Sequence, residues 1–560
     1  MAIRQLFKQV EIYDGTGADS WVGDVLIKDG FIEAMEAHIA ESANEYVDGN
    51  GLALMPGIID SHTHFDAQIT WDSFLNPSPV MGVTTAVIGN CGFTIAPCKQ
   101  EDRDLTLRNL TQVEGMSIDV LREGVHWNFE SFTEYLDAIK ARGTVINVAG
   151  FIGHSSIRTY VMGADATQRA ASDDEIAKMA NLIREAMAAG AIGFASSTSP
   201  AHNGDLGKPM PSRLANDQEL MALVKAMGES GKGIFMLTKG GQTSIEFLEK
   251  LAMESKRPVF VAAILHNSTN PQVAFNDLEN IRLANERGNK MLAEVSCCPL
   301  SMDFTMESPY PFEGLQSWKR ALGQSPNRIK ELLGSTEFRQ AIKDELNQTT
   351  NFRLFNGEWS KVSVVEAALE KNANLEQKTI AEIANARGQH PLDVFFDIAI
   401  EEDLKTLFVA LLLNSDEEAV GQMLNHPYSL VSLSDAGAHL TFFNDAGFGL
   451  HLMGHWARDL GKMSIAKAVH QLTGFQAESL GLKNRGFLKP GYAADLLLFD
   501  PRRVGRGQKR KVFDLPGGRS RLHTDALGVK GVWVNGFRIV NESGEIQKES
   551  LPGELIQDFK

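Results

Sequence analysis

The sequence predicts an α/β protein: a (β/α)8 TIM-like barrel, a small β-sandwich built from both chain termini, and a helical insertion before the last barrel strand. Strand and helix signals alternate through the middle of the chain. Both ends carry the same hairpin idiom. Roughly 130 residues separate a strand signal at 290–296 from one at 429–434, too long a stretch for a barrel loop.

At the N-terminal end, short strands are expected at 10–13, 24–28 and 31–34, with Asp29-Gly30 as a tight hairpin signal between the last two. The C-terminal end offers an apolar strand at 494–500. A second pair of alternating runs lies in 531–540, around Asn535-Gly536. Neither end buries enough surface alone, so residues 1–56 and 486–560 are expected to share one sandwich, with the barrel over 57–485 between them. Within the barrel, a strand at 145–151 is followed by a helix opening on a Ser-x-x-Glu box, Ser172 and Glu175. That helix sets Ile176, Met179, Ile183 and Met187 on one face. A strand at 191–196 precedes a helix that starts at Asn216, with Glu219 three residues on. Further strands follow at 233–238, 258–265, 290–296 and 429–434. Repeated β-then-α units of this length argue for a parallel sheet, and a closed ring of them carries its chemistry at the C-terminal strand ends. Residues 300–425 read largely as an inserted helical subdomain, with helices at 380–388 and 391–401.

Composition narrows the function. The chain has 560 residues, 43% hydrophobic and 22% charged, with a formal net charge of −17. That charge argues against a nucleic-acid partner, which needs a basic face. No apolar run approaches the roughly 20 residues that span a bilayer, so no membrane partner is expected. Residues 1–10 lack the apolar core of a secretory signal. Four cysteines, Cys91, Cys98, Cys297 and Cys298, are too few for a disulfide framework in a chain of this size, which points to reduced thiols and a cytoplasmic setting. The expected partner is a small-molecule amide, and exposed strand edges in a sandwich leave room for a homo-oligomer.

The chemistry begins at Met55-Pro-Gly-Ile-Ile-Asp-Ser-His-Thr-His-Phe65. Residues two apart on a strand share a face, so His62 and His64 can reach one cation, and imidazole is the commonest metal ligand near neutral pH. Asp435 follows a strand in a Ser-Asp-Ala-Gly turn, where its carboxylate can bind metal and take a proton. His266 ends the strand signal at 258–265, and Cys91 follows one at 85–88. Cys297-Cys298 reads as core packing, since adjacent strand side chains point oppositely.

The segment around His62 and His64 resembles the first barrel strand of the amidohydrolase superfamily. Gly82-Val83-Thr84-Thr85, Gly89-Asn90-Cys91-Gly92, residues 147–154, Leu433-Ser434-Asp435 and Gly454-His455-Trp456-Ala457-Arg458-Asp459 are similar to its N-acyl-D-amino-acid deacylase (D-aminoacylase) branch. The resemblance implies a metal-dependent hydrolase cleaving an amide C–N bond with one or two divalent ions, zinc first. It implies His62, His64, His266, Asp435 and Cys91 as ligands, and Asp435 as the group that moves the proton. Where that branch carries Thr-His-x-Arg after the fifth strand, this chain has Leu237-Thr238-Lys239-Gly240-Gly241. Lys239 then stands in the ligand position. Either it is carboxylated, bridging two metals as in a hydantoinase-like cyclic-amide hydrolase, or it stays cationic and holds a substrate anion, or the register at this strand end is shifted. A metal-free barrel acting as a binding or scaffold protein is the alternative of another class. Asn90, His154, Arg213 and His455 are the candidate substrate-binding residues, with Arg158 as a further possible carboxylate clamp. Phe442, Phe443 and Phe448 suggest an apolar pocket near Asp435.

Overall fold

The computed structural model describes residues 4–113, 115–204, 207–307, 309–348, 353–438 and 445–560. The chain divides into two compact units. One comprises Met1–Ile264, Asp277–Cys297 and Met423–Lys560, the other Leu265–Asn276 and Cys298–Gln422.

In the first unit, eight strands run in chain order: β1 (Ile58–Asp60), β2 (Val83–Ile88), β3 (Asn147–Gly153), β4 (Gly193–Ser197), β5 (Ile234–Thr238), β6 (Val259–Ile264), β7 (Met291–Val295) and β8 (Ser429–Val431). Each pairs in parallel with the next. The ring closes just beyond the ends of β8 and β1. There Thr63 bridges Ala436 in parallel, and the His64 N–H donates to Ala436 O at 2.7 Å. The strands are almost wholly buried, as a sheet covered on both faces requires. Helices α1 (Asp173–Ala189), α2 (Asp217–Gly228) and α3 (Ile245–Ser255) lie between successive strands. Ser172 and Glu175 close a reciprocal capping box on α1, which buries Ile176, Met179 and Ile183. Asn216 and Ser244 cap α2 and α3 by accepting from backbone N–H groups.

Both chain ends meet in one mixed sheet of eight strands. Leu496–Phe499 pairs antiparallel with Ala53–Pro56, which runs beside Arg4–Ile12. Phe7, Val10, Ile12, Val25, Leu54, Leu496, Leu498 and Trp533 form its buried cluster. The Asp29-Gly30 and Asn535-Gly536 hairpins form as expected, with φ positive at all four residues, as a type I′ turn demands. These turns touch: a Cβ on Gly536 would lie 2.7 Å from Gly30 Cα, so only glycine fits. A separate two-stranded hairpin, Gly505–Leu515 with Arg519–Leu527, follows the last apolar strand.

The second unit contains the expected helices, Ile380–Arg387 and Pro391–Glu401, with Pro326–Gly334 and Thr336–Leu346. Beside these helices it carries an antiparallel sheet of Leu300–Phe304, Leu407–Leu413 and Val362–Glu366, which the sequence reading did not foresee. The reason lies in Leu-Phe-Val-Ala-Leu-Leu-Leu, an apolar run without alternation, whose periodicity does not separate strand from helix. Phe304, Phe312, Trp318, Phe338, Phe395, Phe396 and Phe408 fill its core. Among the described residues, no helix is long and apolar enough to cross a membrane.

Candidate metal centre

Just past β1, the Thr63 hydroxyl donates to Val87 O, and His62 and His64 on either side of it reach one point. Cys91 reaches the same point from the turn after β2. Its Sγ lies 3.6 Å from His62 Nε2 and 3.9 Å from His64 Nε2. Asp435, on the turn after β8, brings Oδ1 to 3.4 Å from His62 Nε2 and 3.6 Å from His64 Nε2. Donor atoms of His62, His64 and Cys91 all lie within 4.8 Å of one another, and all three residues are buried. Tetrahedral zinc with Zn–N near 2.0–2.1 Å and Zn–S near 2.3 Å requires donor–donor edges of roughly 3.3–3.6 Å. The four measured separations fall at or just above that range, so two imidazoles, a thiol and a carboxylate fit a divalent ion of this kind.

Backbone geometry is specialised at the same points. Cys91 and Asp435 both sit in the left-handed region, at φ 57° and 47°. A non-glycine residue there costs of order 1–3 kcal/mol, and such strain gathers at functional sites. Gly437 has φ 94°, and a Cβ on it would lie 2.6 Å from the carbonyl of His64. The turn that delivers Asp435 can therefore close on the first strand only with glycine two residues on.

Without metal the local field favours an imidazolium beside a thiolate, and a cation entering there must displace the His62 proton. Burial pushes the Cys91 thiol up, but the imidazoles of His62 and His64 outweigh it and bring the pKa down to about 7. Burial pulls His62 down, while the Glu294 carboxylate and Cys91 raise it to about 10. The His62 Nδ1–H donates to Glu294 Oε2 at 2.6 Å, with Glu294 on β7 and its side chain 1% exposed. The Thr238 hydroxyl at the end of β5 is 3.0 Å from Cys91 Sγ.

The remaining sequence candidates have partners of their own. Lys239 is turned away from the thiol, and its Nζ pairs with Asp277 at 3.1 Å. Successive strand residues face opposite ways, so the inward position at the end of β5 belongs to Thr238. His266 belongs to the second unit, where its N–H donates to Asn414 Oδ1 and its carbonyl accepts from the Asn414 N–H. Asn90 is fully buried and donates its amide to Thr63 O and Val87 O, which braces the turns after β1 and β2. Arg213 donates to His202 O and to the Asn203 carboxamide. His455 stacks on His451 with ring centroids 4.7 Å apart, in a π-helical turn over Leu452–Asp459. Phe448 is buried, and Phe442 and Phe443 lie outside the described residues.

His154 forms a second buried cluster. Its Nε2 is 2.9 Å from Glu219 Oε1, its Nδ1 is 2.7 Å from Ser196 Oγ, and Arg158 Nη1 donates to both Glu219 oxygens at 2.5 Å. All three ionisable side chains are 0% exposed, so Arg158 is committed to Glu219. Glu294 and Thr238 went unnoticed in the sequence. A glutamate inside Met-Leu-Ala-Glu-Val is the available signal, because a carboxylate in a buried strand needs a cationic or protonated partner.

A family model described as "Amidohydrolase family" matches residues 45–540. The chain is 28% identical to a D-aminoacylase of Alcaligenes xylosoxydans xylosoxydans, over 95% of this chain and 93% of that protein. It is 26% identical to an N-acyl-D-aspartate deacylase of the same organism, over 97% and 93%. A crystal structure of an N-acyl-D-glutamate deacylase from Bordetella bronchiseptica, complexed with zinc and a phosphonate mimic of the tetrahedral intermediate, superposes with a TM-score of 0.65. It covers 99% of both chains at 22% identity, a likeness that speaks for the fold.

Proposed function

This chain belongs to the amidohydrolase family, and on that premise we propose that it is a metal-dependent hydrolase of the amide C–N bond in an N-acyl amino acid or a related small amide. The reading is carried by the convergence of His62, His64, Cys91 and Asp435 at the closing seam of the barrel. His62 and His64 would hold the ion through Nε2, Cys91 as thiolate and Asp435 through Oδ1. Zinc is the ion this donor set suits, and it is named for the Bordetella relative. A divalent ion bound there supplies a Lewis acid to the amide carbonyl and brings the pKa of water from about 15.7 toward 7.

The protein's own groups handle the protons. Asp435 is the most open of the four, its side chain 21% exposed while the two imidazoles are nearly sealed. It accepts the proton of the attacking water and returns it to the leaving nitrogen. The products are a carboxylate and an amine. Cys91, its thiol drawn down to about 7 by the two imidazoles, gives up its proton readily. The ion pair of Lys239 with Asp277 supports a centre that does without a lysine carbamate. His266 is kept as a further ligand candidate on the resemblance alone. The D-aminoacylase and N-acyl-D-aspartate deacylase relatives support an N-acyl-D-amino acid as substrate. A cytoplasmic setting is supported by all four cysteines being buried and outside any disulfide.

The test is metal analysis of the purified chain beside hydrolysis of paired N-acetyl-D- and N-acetyl-L-amino acids. Bound zinc, turnover of the D series and loss of turnover on chelation, reversed by zinc, are expected. A protein that takes up no zinc and hydrolyses no amide with zinc added defeats the reading.

A further inference from the structure

We propose that Glu294 is the positioning residue of the metal centre, acting through His62 to set its tautomer and orientation. This rests on the hydrolase reading above and adds to it a residue that no motif contains.

The reasoning starts from barrel geometry. Each inward layer of a (β/α)8 barrel is filled by side chains from alternate strands. His62 continues β1 and Glu294 lies on β7, both odd strands, so one layer can bring them together although they are distant in sequence. The contact is 2.6 Å, between a side chain 2% exposed and one 1% exposed. An ionised carboxylate can only accept, so the proton that His62 keeps when it gives up Nε2 to a metal must sit on Nδ1. Its lone pair is then left on Nε2, the atom facing Cys91 Sγ and Asp435 Oδ1.

Without Glu294, a neutral His62 divides between two tautomers, and the one protonated on Nε2 cannot ligate. The imidazole also loses the hydrogen bond that fixes its rotation. The carboxylate has a second consequence, through charge. With Cys91 as thiolate and Asp435 ionised, Glu294 adds a third negative group against a divalent ion, which favours uptake of the cation. Such outer partners of ligating histidines are typically worth about 10- to 100-fold in metal affinity.

Burial of Glu294 in β7 makes a purely structural role the competing explanation, so the test must separate the two. Zinc affinity is measured by competition with a chromophoric chelator, on the full chain, for the unaltered protein, Glu294→Gln, His62→Ala and the double variant. Thermal melting of each metal-free protein runs alongside. Glu294→Gln is expected to weaken zinc about 10- to 100-fold, with the metal-free melting temperature little changed. In the His62→Ala background the same substitution is expected to add nothing, because its route to the metal is already gone. Glu294→Asp keeps the charge and shortens the reach, so it serves if the Gln variant does not fold, with an expected loss in the same direction. Equal zinc affinity for Glu294→Gln and the unaltered chain overturns the proposal. So does a Glu294→Gln penalty of the same size in the presence and absence of His62. Failure of the unaltered chain to bind zinc at all overturns the hydrolase reading, and this proposal with it.

Discussion

Two buried clusters in the same barrel each join an imidazole to a carboxylate, and their chemistry diverges. Around His154, both ring nitrogens are taken by Ser196 and Glu219, and Arg158 returns the charge of Glu219. Around His62, one nitrogen is taken by Glu294. The other faces a thiol and a carboxylate at 3.4–3.6 Å, too long for strong hydrogen bonds and close to the edge lengths of a metal polyhedron. The first cluster is closed on itself. The second points its remaining valence at a common centre. A histidine beside a carboxylate therefore says little until both of its nitrogens are accounted for.

Breaking the open cluster should cost the most. His64→Ala is expected to remove bound zinc and lower hydrolysis about 10³-fold or more, since several kcal/mol of Lewis-acid stabilisation go with it. Zinc content and turnover on one preparation check this, and a variant that keeps both unchanged removes His64 from the centre. Asp435→Asn should lower kcat by about 10²- to 10⁴-fold, the range of a positioned acid–base group. Its loss should fall on kcat more than on KM, as steady-state kinetics will read.

The closed cluster should respond in stability instead. Arg158→Met strands the Glu219 carboxylate in a buried site, and removing one partner of such a pair costs about 3–5 kcal/mol. Denaturant unfolding should report that loss while zinc content stays at its original level. A zinc loss matching that of His64→Ala would erase the distinction between the clusters.

An effect confined to acid pH comes from a third imidazole, His451. Burial, the Arg506 cation and His455 hold its pKa down to about 3 against 6.5. The folded state thus binds this proton less readily than the unfolded one. The stability it contributes is present above pH 6.5 and is lost progressively as pH falls toward 3, by up to about 1.4 kcal/mol per pH unit. His451→Phe should flatten that part of the stability–pH curve, while a slope that persists unaltered assigns it to other groups.

Much of the molecule was legible in the sequence for identifiable reasons. His62 and His64 stand two apart on a strand, and Asp29-Gly30 and Asn535-Gly536 are turns that few other residues can make, so each announces itself locally. Cys91 and Asp435 were found through their motifs, and the structure brings both to the two histidines. Glu294 was not found because its meaning comes from His62, two strands round the ring, and nothing beside it in sequence hints at that neighbour. At Lys239 the motif match and the geometry diverge, because its neighbour Thr238 is the residue beside Cys91 and on a strand a single step reverses the face. The sheet in the second unit was lost because an apolar run without alternation fits a buried helix as well as a strand.

The seam between the last and first strands is also where the reacting groups assemble, and this has a consequence for biosynthesis. The Asp435 N–H donates to His62 O, and the His64 N–H to Ala436 O, so the contacts that close the ring are those that complete the centre. While the chain is being made, His62 and His64 wait without Asp435 until the ribosome has passed Gly437. A fragment that ends earlier has neither a finished barrel nor an incipient activity. On the proposed function, closure of the ring and completion of the metal centre coincide.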